Sequence, residues 1–279
     1  MPFTKMHGAG NDYLYINCFR EAVENPAALS VKYSHRHFGV GADGLVLILP
    51  SESCDVRMRI FNADGSEAQM CGNASRCVAK YAYERGITTN NPLTLETNAG
   101  VKTIQLDVQG GIVRSARVDM GRPILAAANI PCLYTDEIVI HQPLQLSNGE
   151  ELQVTAVSMG NPHCVSFVEN TEDYPLEAIG PLVENHPLFP ERVNAEFVRI
   201  LSPTEIQMRV YERGSGETLA CGTGACASVV ACVLNGFCEK DTDVTVKLRG
   251  GDLVIRWDSA TGSVFKTGPA AYVCDGVFL

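Results

Sequence analysis

The sequence has few aromatic residues, no cluster of basic residues and no long apolar run. Aromatic residues make up 7% of the 279 positions, and the formal net charge is −10. Without basic residues clustered or interleaved with aromatic ones, there is no electrostatic footprint for nucleic acid. Apolar runs such as residues 45–49 are far too short to cross a bilayer. We therefore expect neither nucleic acid nor a membrane as a partner.

An export signal and chelating cysteine spacings are also missing. Residues 1–8 include glycine and polar residues where a signal peptide needs an apolar segment. The 11 cysteines contain no C-x-x-C pair, so neither a zinc ribbon nor a thioredoxin motif is indicated. His35 and His37 come without further ligands, and we interpret them as a surface pair at a helix end. We expect a cytoplasmic protein whose thiols stay reduced and which binds no metal.

What the sequence does contain is an internal repeat. With 46% hydrophobic and 19% charged residues, the chain has the composition of a soluble globular enzyme and the length of two domains. A shift of 150 positions, without a gap, lays Cys71-Gly72 on Cys221-Gly222. The same shift matches Gly10-Asn11 with Gly160-Asn161, Met58-Arg59 with Met208-Arg209, Glu67 with Glu217 and Gly86 with Gly236. We expect two similar lobes, residues 1–120 and 121–263, with the boundary near 121–123.

Short apolar and alternating runs predict strands, and each half also contains one prominent helix. The predicted strands are 3–7, 45–49, 56–61, 93–97, 101–108, 112–119, 151–157, 164–168, 197–200, 206–211, 244–248, 253–257 and 264–267. Helices are predicted at 71–84 and 221–234, each ending near a glycine. The second has no polar face, which indicates burial. The first has four charged residues able to face solvent, namely Arg76, Lys80, Glu84 and Arg85. This pattern predicts an α+β fold in which each lobe wraps a mixed, mostly antiparallel sheet around a central helix.

Cys71 and Cys221 each stand at the start of a predicted helix and are followed by small residues. Small residues there let backbone N–H groups approach a ligand, and the helix dipole favours negative charge. The same location lowers the pKa of a thiol, so that thiolate is available near neutral pH. Most cysteines are small buried hydrophobes, but the matched positions of these two indicate a function. We expect one thiolate to take a proton from one face of a carbon and the opposite thiol to return one to the other face.

Polar segments accompany both cysteines at places where predicted strands end. Residues 62–67 precede Cys71, and residues 212–217 precede Cys221. A third segment, 159–163, interrupts two β-rich runs. Loops at strand ends commonly carry site residues. Each segment by itself is equally compatible with a solvated turn. A histidine such as His163, taken by itself, is more often a structural residue.

Five segments resemble those of the diaminopimelate epimerase family. They are HGAGNDY (7–13), FNADGSEAQMCGN (61–73), SMGNPHC (158–164), ERVNAEF (191–197) and YERGSGETLACGTGACA (211–227). The resemblance extends from about residue 5 to residue 276, and two of the motifs are long and specific. It implies a cofactor-independent, two-cysteine epimerase with two pseudo-symmetric lobes around a cleft that holds the active site. It also implies that residues 264–279 complete the first lobe and that the protein is a homodimer.

The resemblance further implies roles for individual residues. Cys71 and Cys221 match the catalytic base and acid. The helix-start residues that hold the reacting α-carboxylate are matched by Gly72, Asn73, Gly222 and Thr223. The polar residues around the distal amino-acid end are matched by Asn11, Asn62, Asn161, Asn194 and Arg213. Glu212 matches the group near the α-ammonium and, with His163, tunes the pKa of the cysteines.

The sequence departs from the family pattern in two segments. Many members carry a substrate-facing glutamine where this chain has Gly44, so that contact is not assigned to this residue. The first helix begins CGNASRC where CGNGARC is common. Both replaced residues are small, so we expect close packing to be kept with slightly less backbone freedom.

The leading hypothesis is an isomerase that converts LL-2,6-diaminopimelate to the meso form in lysine and peptidoglycan precursor synthesis. It would act on a small amino-acid substrate without pyridoxal phosphate or a metal. The alternative is a racemase of proline, hydroxyproline or histidine with the same chemistry, in which the polar residues of the distal end would lack partners. A redox-sensing or metal-storing protein would need chelating spacings or a nearby resolving cysteine. A binding module without catalysis would be expected to have lost one of the two cysteines.

Overall fold

The computed structural model describes the whole chain, Met1–Leu279. Its fold is α+β, with mixed strand pairing and four α-helices, and the predicted fold class is confirmed. The chain divides into two compact units. Unit 1 comprises Met1–Asp119 and Thr267–Leu279, and unit 2 comprises Met120–Lys266. None of the helices is long and apolar enough to span a membrane.

Unit 1 begins with eight strands and two helices. They are β1 (Pro2–Gly8), β2 (Asn11–Asn17), α1 (Pro26–Ser34), β3 (Gly44–Leu49), β4 (Val56–Asn62), β5 (Glu67–Ala68), α2 (Gly72–Glu84), β6 (Leu93–Thr97), β7 (Gly100–Gln109) and β8 (Ile112–Asp119). Strands β1 and β2 pair antiparallel, β2 and β3 parallel, β3 and β4 antiparallel, and β4 and β6 parallel. Each parallel pair encloses a helix, as a crossover connection requires.

Unit 2 repeats this order. Its elements are β9 (Gln142–Gln145), β10 (Glu151–Ser158), β11 (Pro162–Phe167), α3 (Leu176–Glu184), β12 (Asn194–Ser202), β13 (Glu205–Glu212), β14 (Gly216–Glu217), α4 (Gly222–Leu234), β15 (Val244–Lys247) and β16 (Leu253–Trp257). Strand β17 (Val264–Gly268) leads back into unit 1, where β18 (Ala271–Val277) pairs antiparallel with β1. The pairings β10–β11, β11–β12, β12–β13 and β13–β15 have the same alternation of antiparallel and parallel as in unit 1.

The sequence repeat is therefore a repeat of topology. The helix pairs α1 and α3, and α2 and α4, are each offset by 150 residues along their whole length. Both central helices also end alike: Gly86 N–H donates to Tyr83 O and Gly236 N–H donates to Val233 O, each at 3.2 Å. The two glycines have φ angles of 70° and 76°, a conformation that favours glycine after a helix. The predicted ends of both helices are confirmed.

The central helices are both buried, which corrects one prediction. Helix α4 is buried from Gly224 to Cys232, as its apolar sequence indicated. Helix α2 was expected to expose Arg76 and Lys80, but Arg76 is wholly buried and Lys80 is 6% exposed. Their charges are met inside the unit: Arg76 Nη1 donates to Asn73 Oδ1 at 3.1 Å, and Lys80 Nζ donates to Val113 O at 2.8 Å. Arg76 Nε also donates to Pro269 O at 3.2 Å, so both side chains have partners distant in the chain, which a helical wheel does not show.

None of the predicted helix and strand ranges covers two of the helices, α1 and α3, or five of the strands, β2, β5, β9, β14 and β18. A start signal for α1 is present, because Asn25 caps the helix by accepting a hydrogen bond from Ala28 N and Pro26 occupies its first turn. Helix α3 has a proline, Pro181, inside it, which hides it from pattern reading. His35 is the exposed C-cap of α1, so the prediction of a surface histidine pair at a helix end is confirmed.

Candidate active site

Cys71 is the N-cap of α2. Its φ and ψ of −135° and 118° are those of extended backbone, so the chain turns into the helix directly after it. Ser75 closes the first turn, because its N and Oγ both donate to Cys71 O at 2.9 Å. The first N–H groups of the helix, including those of Gly72 and Asn73, have no partner within the helix. A half-buried sulfur thus stands beside amides that can bind an anion.

The Cys71 thiol donates to Asn11, with 3.4 Å between Sγ and Oδ1. Asn11 is held in this orientation because its Nδ2 donates to Asp43 Oδ2 at 2.8 Å. Asp43 is in turn held by Arg36 Nη2 at 2.9 Å, and burial raises the pKa of its carboxyl. Tyr13 lies close to Cys71. Burial, and after it the charge of Cys71, raises the pKa of the Tyr13 phenol. Asp43 was not singled out in the sequence, although it lies in the polar segment just before β3.

The other predicted residues of unit 1 take different places. Asn73 is 4% exposed, and its side chain is engaged with Arg76, so its backbone N–H is the group available to a ligand. Asn62, at the end of β4, donates from Nδ2 to Ser66 Oγ at 3.0 Å within its own turn. A side chain at Gly44 would come within 2.1 Å of Phe61 O, so this backbone has no room for the glutamine common in the family.

Cys221 is the N-cap of α4 and is only 5% exposed. Its sulfur accepts from Gly224 N at 3.4 Å and lies 3.5 Å from Thr223 Oγ1. The pKa of the thiol is raised well above its ordinary value, first by burial and then by the charges of Glu212 and Glu196. Cys221 therefore needs a compensating positive potential before it can act as thiolate.

His163 lies among hydrogen-bond partners in unit 2. Its Nδ1 is 2.7 Å from Glu196 Oε1, and its Nε2 is 3.0 Å from Asn161 Oδ1. His163 and Glu196 are both 0% exposed. Glu196 lies inside one of the recognised motifs, yet sequence reasoning gave it no role. The only signal for Glu196 is its position two residues after Asn194, in a strand whose neighbouring residues are mostly apolar.

The remaining predicted residues of unit 2 form a linked group at the ends of β12 and β13. Asn194 is 3% exposed; it donates to Pro162 O at 2.8 Å and accepts from Arg213 N at 3.0 Å. The Arg213 guanidinium donates to Glu191 O at 3.1 Å. Glu212 accepts a short hydrogen bond from Thr218 Oγ1. Asn194 thus positions Arg213 through its backbone.

Lys266 is a further residue that sequence reasoning missed. It is wholly buried, and a side chain at Gly222 would lie 2.3 Å from its Nζ. The residue at position 222 must therefore be glycine if Lys266 is to keep this place. The side-chain nitrogen lies beside the first turn of α4, where, when protonated, it would add to the positive potential of the helix amides.

Each unit thus holds a sulfur at a helix N-terminus, amides that can bind a carboxylate, and amide or charged side chains close by. No group of three or more His, Cys, Asp or Glu side chains is arranged to hold a metal ion. The chemistry that these groups can perform is proton transfer by sulfur next to a bound anion.

Comparisons with known proteins agree with this inventory. The family model described as Diaminopimelate epimerase matches residues 3–126 and 155–273. A diaminopimelate epimerase of Acetivibrio thermocellus is 57% identical over 276 residues, which cover 99% of this chain and 98% of the relative. One of Desulfovibrio desulfuricans is 54% identical over 284 residues, covering 100% and 98%.

Solved structures with lower sequence identity share the fold. A hydroxyproline epimerase from Agrobacterium vitis, with bound trans-4-hydroxy-L-proline, has a TM-score of 0.71 at 16% identity. The match covers 99% of this chain and 91% of that one.

Proposed function

Because the chain belongs to the diaminopimelate epimerase family, we propose that it converts LL-2,6-diaminopimelate to the meso isomer without pyridoxal phosphate. The observation that carries this proposal is the matched placement of Cys71 and Cys221 as N-caps of α2 and α4. The product would serve lysine and peptidoglycan precursor synthesis in the cytoplasm.

The proposed reaction inverts one α-carbon by moving protons only. One sulfur, as thiolate, takes the α-hydrogen as a proton, and the electron pair left on carbon spreads into the α-carboxylate. The opposite thiol then gives its proton to the other face of the same carbon. The carbon keeps its four substituents, and the enzyme is left with the protonation of its two sulfurs exchanged. The reverse reaction uses the same groups with the roles exchanged.

The negative charge that develops on the α-carboxylate is met by the helix-start amides. These belong to Gly72, Asn73, Gly222 and Thr223, whose N–H groups have no partner within their helices. They are oriented before the substrate arrives, so they stabilise the charge without having to reorganise. Lys266, beside Gly222, would add to this positive potential on the α4 side when its amine is protonated.

Polar residues at strand ends would bind the two ammonium groups and the distal carboxylate. We assign the distal end to Asn11, Asn62, Asn161, Asn194 and Arg213, and the α-ammonium to Glu212. Asn194 acts through Arg213, whose N–H it holds. His163 and Glu212 would tune the pKa of the cysteines, since the charge of Glu212 already raises that of Cys221. The enzyme is proposed to work as a homodimer of two-lobed subunits.

Deuterium exchange tests this function directly. Reduced protein in D2O is mixed with pure LL-diaminopimelate, and parallel samples receive proline, hydroxyproline and histidine. We expect one deuterium at an α-carbon together with meso product. Cys71→Ala and Cys221→Ala should lose the activity, whereas Cys77→Ala and Cys226→Ala, which remove buried thiols from the same helices, should keep it.

Each outcome of this experiment decides between the hypotheses. Turnover of another amino acid in place of diaminopimelate would keep the two-cysteine chemistry and reject the substrate. Full activity in either helix-start variant would reject the two-base mechanism. Inertness of the reduced wild-type protein toward all four compounds would reject the enzyme.

A further inference from the structure

Units 1 and 2 differ at one buried pair of residues. In unit 2, His163 and Glu196 are both 0% exposed, with 2.7 Å between Nδ1 and Oε1. A carboxylate only accepts hydrogen bonds, so next to ionised Glu196 the proton of the ring lies on Nδ1. The second ring nitrogen, Nε2, then accepts, so the Asn161 amide, 3.0 Å away, faces it with its NH2 group, the amide being turned so that Oδ1 and Nδ2 exchange places. Glu196 thus determines both the orientation and the tautomer of His163.

The repeat provides a natural comparison for this pair. A shift of 150 positions lays Asn161 on Asn11, but it lays His163 on Tyr13 and Glu196 on Val46. The strands concerned, β2–β3 and β11–β12, pair parallel in the same register. Val46 is 0% exposed, so it fills by apolar packing the place that the carboxylate takes in unit 2. The fold itself does not need a charged residue there.

Burying a carboxylate at this place costs free energy that a valine would not cost. An ionised group that leaves water loses its hydration, and a single partner offsets that loss only in part. Glu196 Oε2 is buried and has no hydrogen-bond partner. Burial raises the pKa of Glu196, and His163 opposes that shift. A residue kept at such a cost, where its counterpart is apolar, calls for a role other than stability.

Glu196 also lies against the turn that carries Cys221. A side chain added at Gly224 would come within 2.7 Å of Glu196 Oε1 and 3.3 Å of Cys221 Sγ. Glycine at 224 therefore lets the carboxylate and the sulfur approach the same point of the helix start. Besides His163, the titratable groups around Glu196 are Glu212 on β13, Cys221 before α4 and Cys164 on β11.

We propose that Glu196 is a positioning residue that holds His163 by Nδ1 and thereby directs Nε2 toward Asn161, the repeat counterpart of the Asn11 that contacts Cys71. The proposal rests on the proposed function, in which His163 tunes the cysteine. The His163–Glu196 pair exists only in unit 2. Cys221 therefore has an ionisable side chain of this pair, Glu196, close by, whereas Cys71 has Asn11 and Tyr13.

Two variants separate positioning from folding. Glu196→Gln keeps size and shape but can either accept or donate, so the ring is no longer held in one tautomer. The double variant H163Y/E196V installs the pair that unit 1 already buries, so it should fold. Glu84→Gln is the control, because Glu84 accepts hydrogen bonds from Lys80 Nζ and Val113 N at the far end of α2.

The readouts are ¹⁵N NMR of the histidine rings, thermal unfolding, and the pH dependence of kcat and KM. The double variant identifies the His163 signal by its disappearance. We expect Glu196→Gln to lower kcat on the order of tenfold to a hundredfold with KM little changed. Its His163 should show a mixture of tautomers, and the limb of the pH profile due to Cys221 should move to lower pH because a nearby negative charge is gone.

If Glu196 had only a structural role, Glu196→Gln would lower activity at every pH. The Cys221 limb of the pH profile and the ¹⁵N signal of the His163 ring would then stay where they are in the wild type. The proposal is overturned if Glu196→Gln leaves tautomer and pH profile as in the wild type. It is equally overturned if the folded double variant turns over as fast as the wild type. If the wild type does not act on diaminopimelate, the proposed function fails, while the ring signal in Glu196→Gln still decides whether Glu196 holds His163.

Discussion

Cys71 and Cys221 occupy matched positions but have different surroundings. The Cys71 thiol donates to the Asn11 amide oxygen, whereas the Cys221 sulfur accepts from Gly224 N. An amide oxygen favours the thiol form of its partner, and an N–H favours the thiolate. The Gly224 N–H lowers the pKa of Cys221, but burial and the charges of two glutamates raise it by more. The two sulfurs of one repeat are therefore chemically distinct.

The raised pKa of Cys221 predicts how its reactivity depends on Glu212. Glu212→Gln removes one of the negative charges that raise this pKa. We expect the pH at which Cys221 becomes alkylated by iodoacetamide to fall, measured by mass spectrometry of the Cys221 peptide. Glu205→Gln, at the other end of β13, should leave it unchanged. An unchanged Cys221 profile in Glu212→Gln would contradict the assigned electrostatics.

At the scale of elements, each central helix follows a short hairpin clasped by an arginine and a glutamate. Arg59 binds Glu67 through two hydrogen bonds of 2.8 Å, and Arg209 binds Glu217 through bonds of 2.8 and 3.0 Å. The first pair is 35% and 31% exposed, and the second only 8% and 14%. Arg249 adds a further contact to Glu217 at 2.8 Å. The arginine–glutamate pair is therefore expected to stabilise the second hairpin more than the first.

Glutamine replacements at the two matched sites should differ in their effect on stability. We expect Glu217→Gln to lower the free energy of unfolding by about 1.5 to 3 kcal/mol, and Glu67→Gln by about 0 to 1 kcal/mol. The hydrogen bond from Arg209 lowers the pKa of Glu217 below its ordinary 4.5. Its contribution is thus complete above that pH and is lost as the pH falls through the lower, folded value.

Denaturant unfolding at pH 7 and at decreasing pH measures this difference. The gap between wild type and Glu217→Gln should be largest at pH 7 and should close in acid. Equal effects at the two sites, or a gap that grows in acid, would contradict the prediction.

At the scale of the whole molecule, the chain leaves unit 1 at Asp119 and returns to it at Thr267. The returning strand β18 pairs with β1 from Pro2 to His7. Phe278 then stacks on Phe3 and Tyr33, with ring centroids 4.4 and 4.0 Å apart. The last residues of the chain thus complete the core of the first unit.

Phe278→Ala should weaken unit 1 selectively. Phe278 is 7% exposed, and removing a buried phenyl ring costs about 3 kcal/mol or more. We expect hydrogen exchange to speed up in β1, β2 and β18, while peptides from residues 120–266 keep their protection. Phe38→Ala is the control, because that ring is 89% exposed. Equal loss of protection in both units would show that they unfold together.

Much of the fold could be predicted because the signals are local. Each of these signals lies within one element: the alternation of apolar and polar residues in strands, the apolar run of α4 and the glycine after each central helix. The repeat supported the same prediction in both halves of the chain. Helix α1 was missed although Asn25 and Pro26 mark its start, because its apolar pattern is weak. The burial of Arg76 and Lys80 could not be predicted, since their partners Pro269 and Val113 are distant in the chain.

The family, the repeat and the two helix-start cysteines can be read from the sequence alone, because long motifs and a fixed offset do not depend on packing. The family is confirmed by its match to most of the chain. Which groups surround each sulfur depends instead on how distant segments pack. Glu196 meets His163 across 33 residues, Asp43 meets Asn11 across 32, and Lys266 meets Gly222 in the interior of unit 2. Such contacts arise when strands distant in the chain pair in register, and burial then sets the charge that each group can carry.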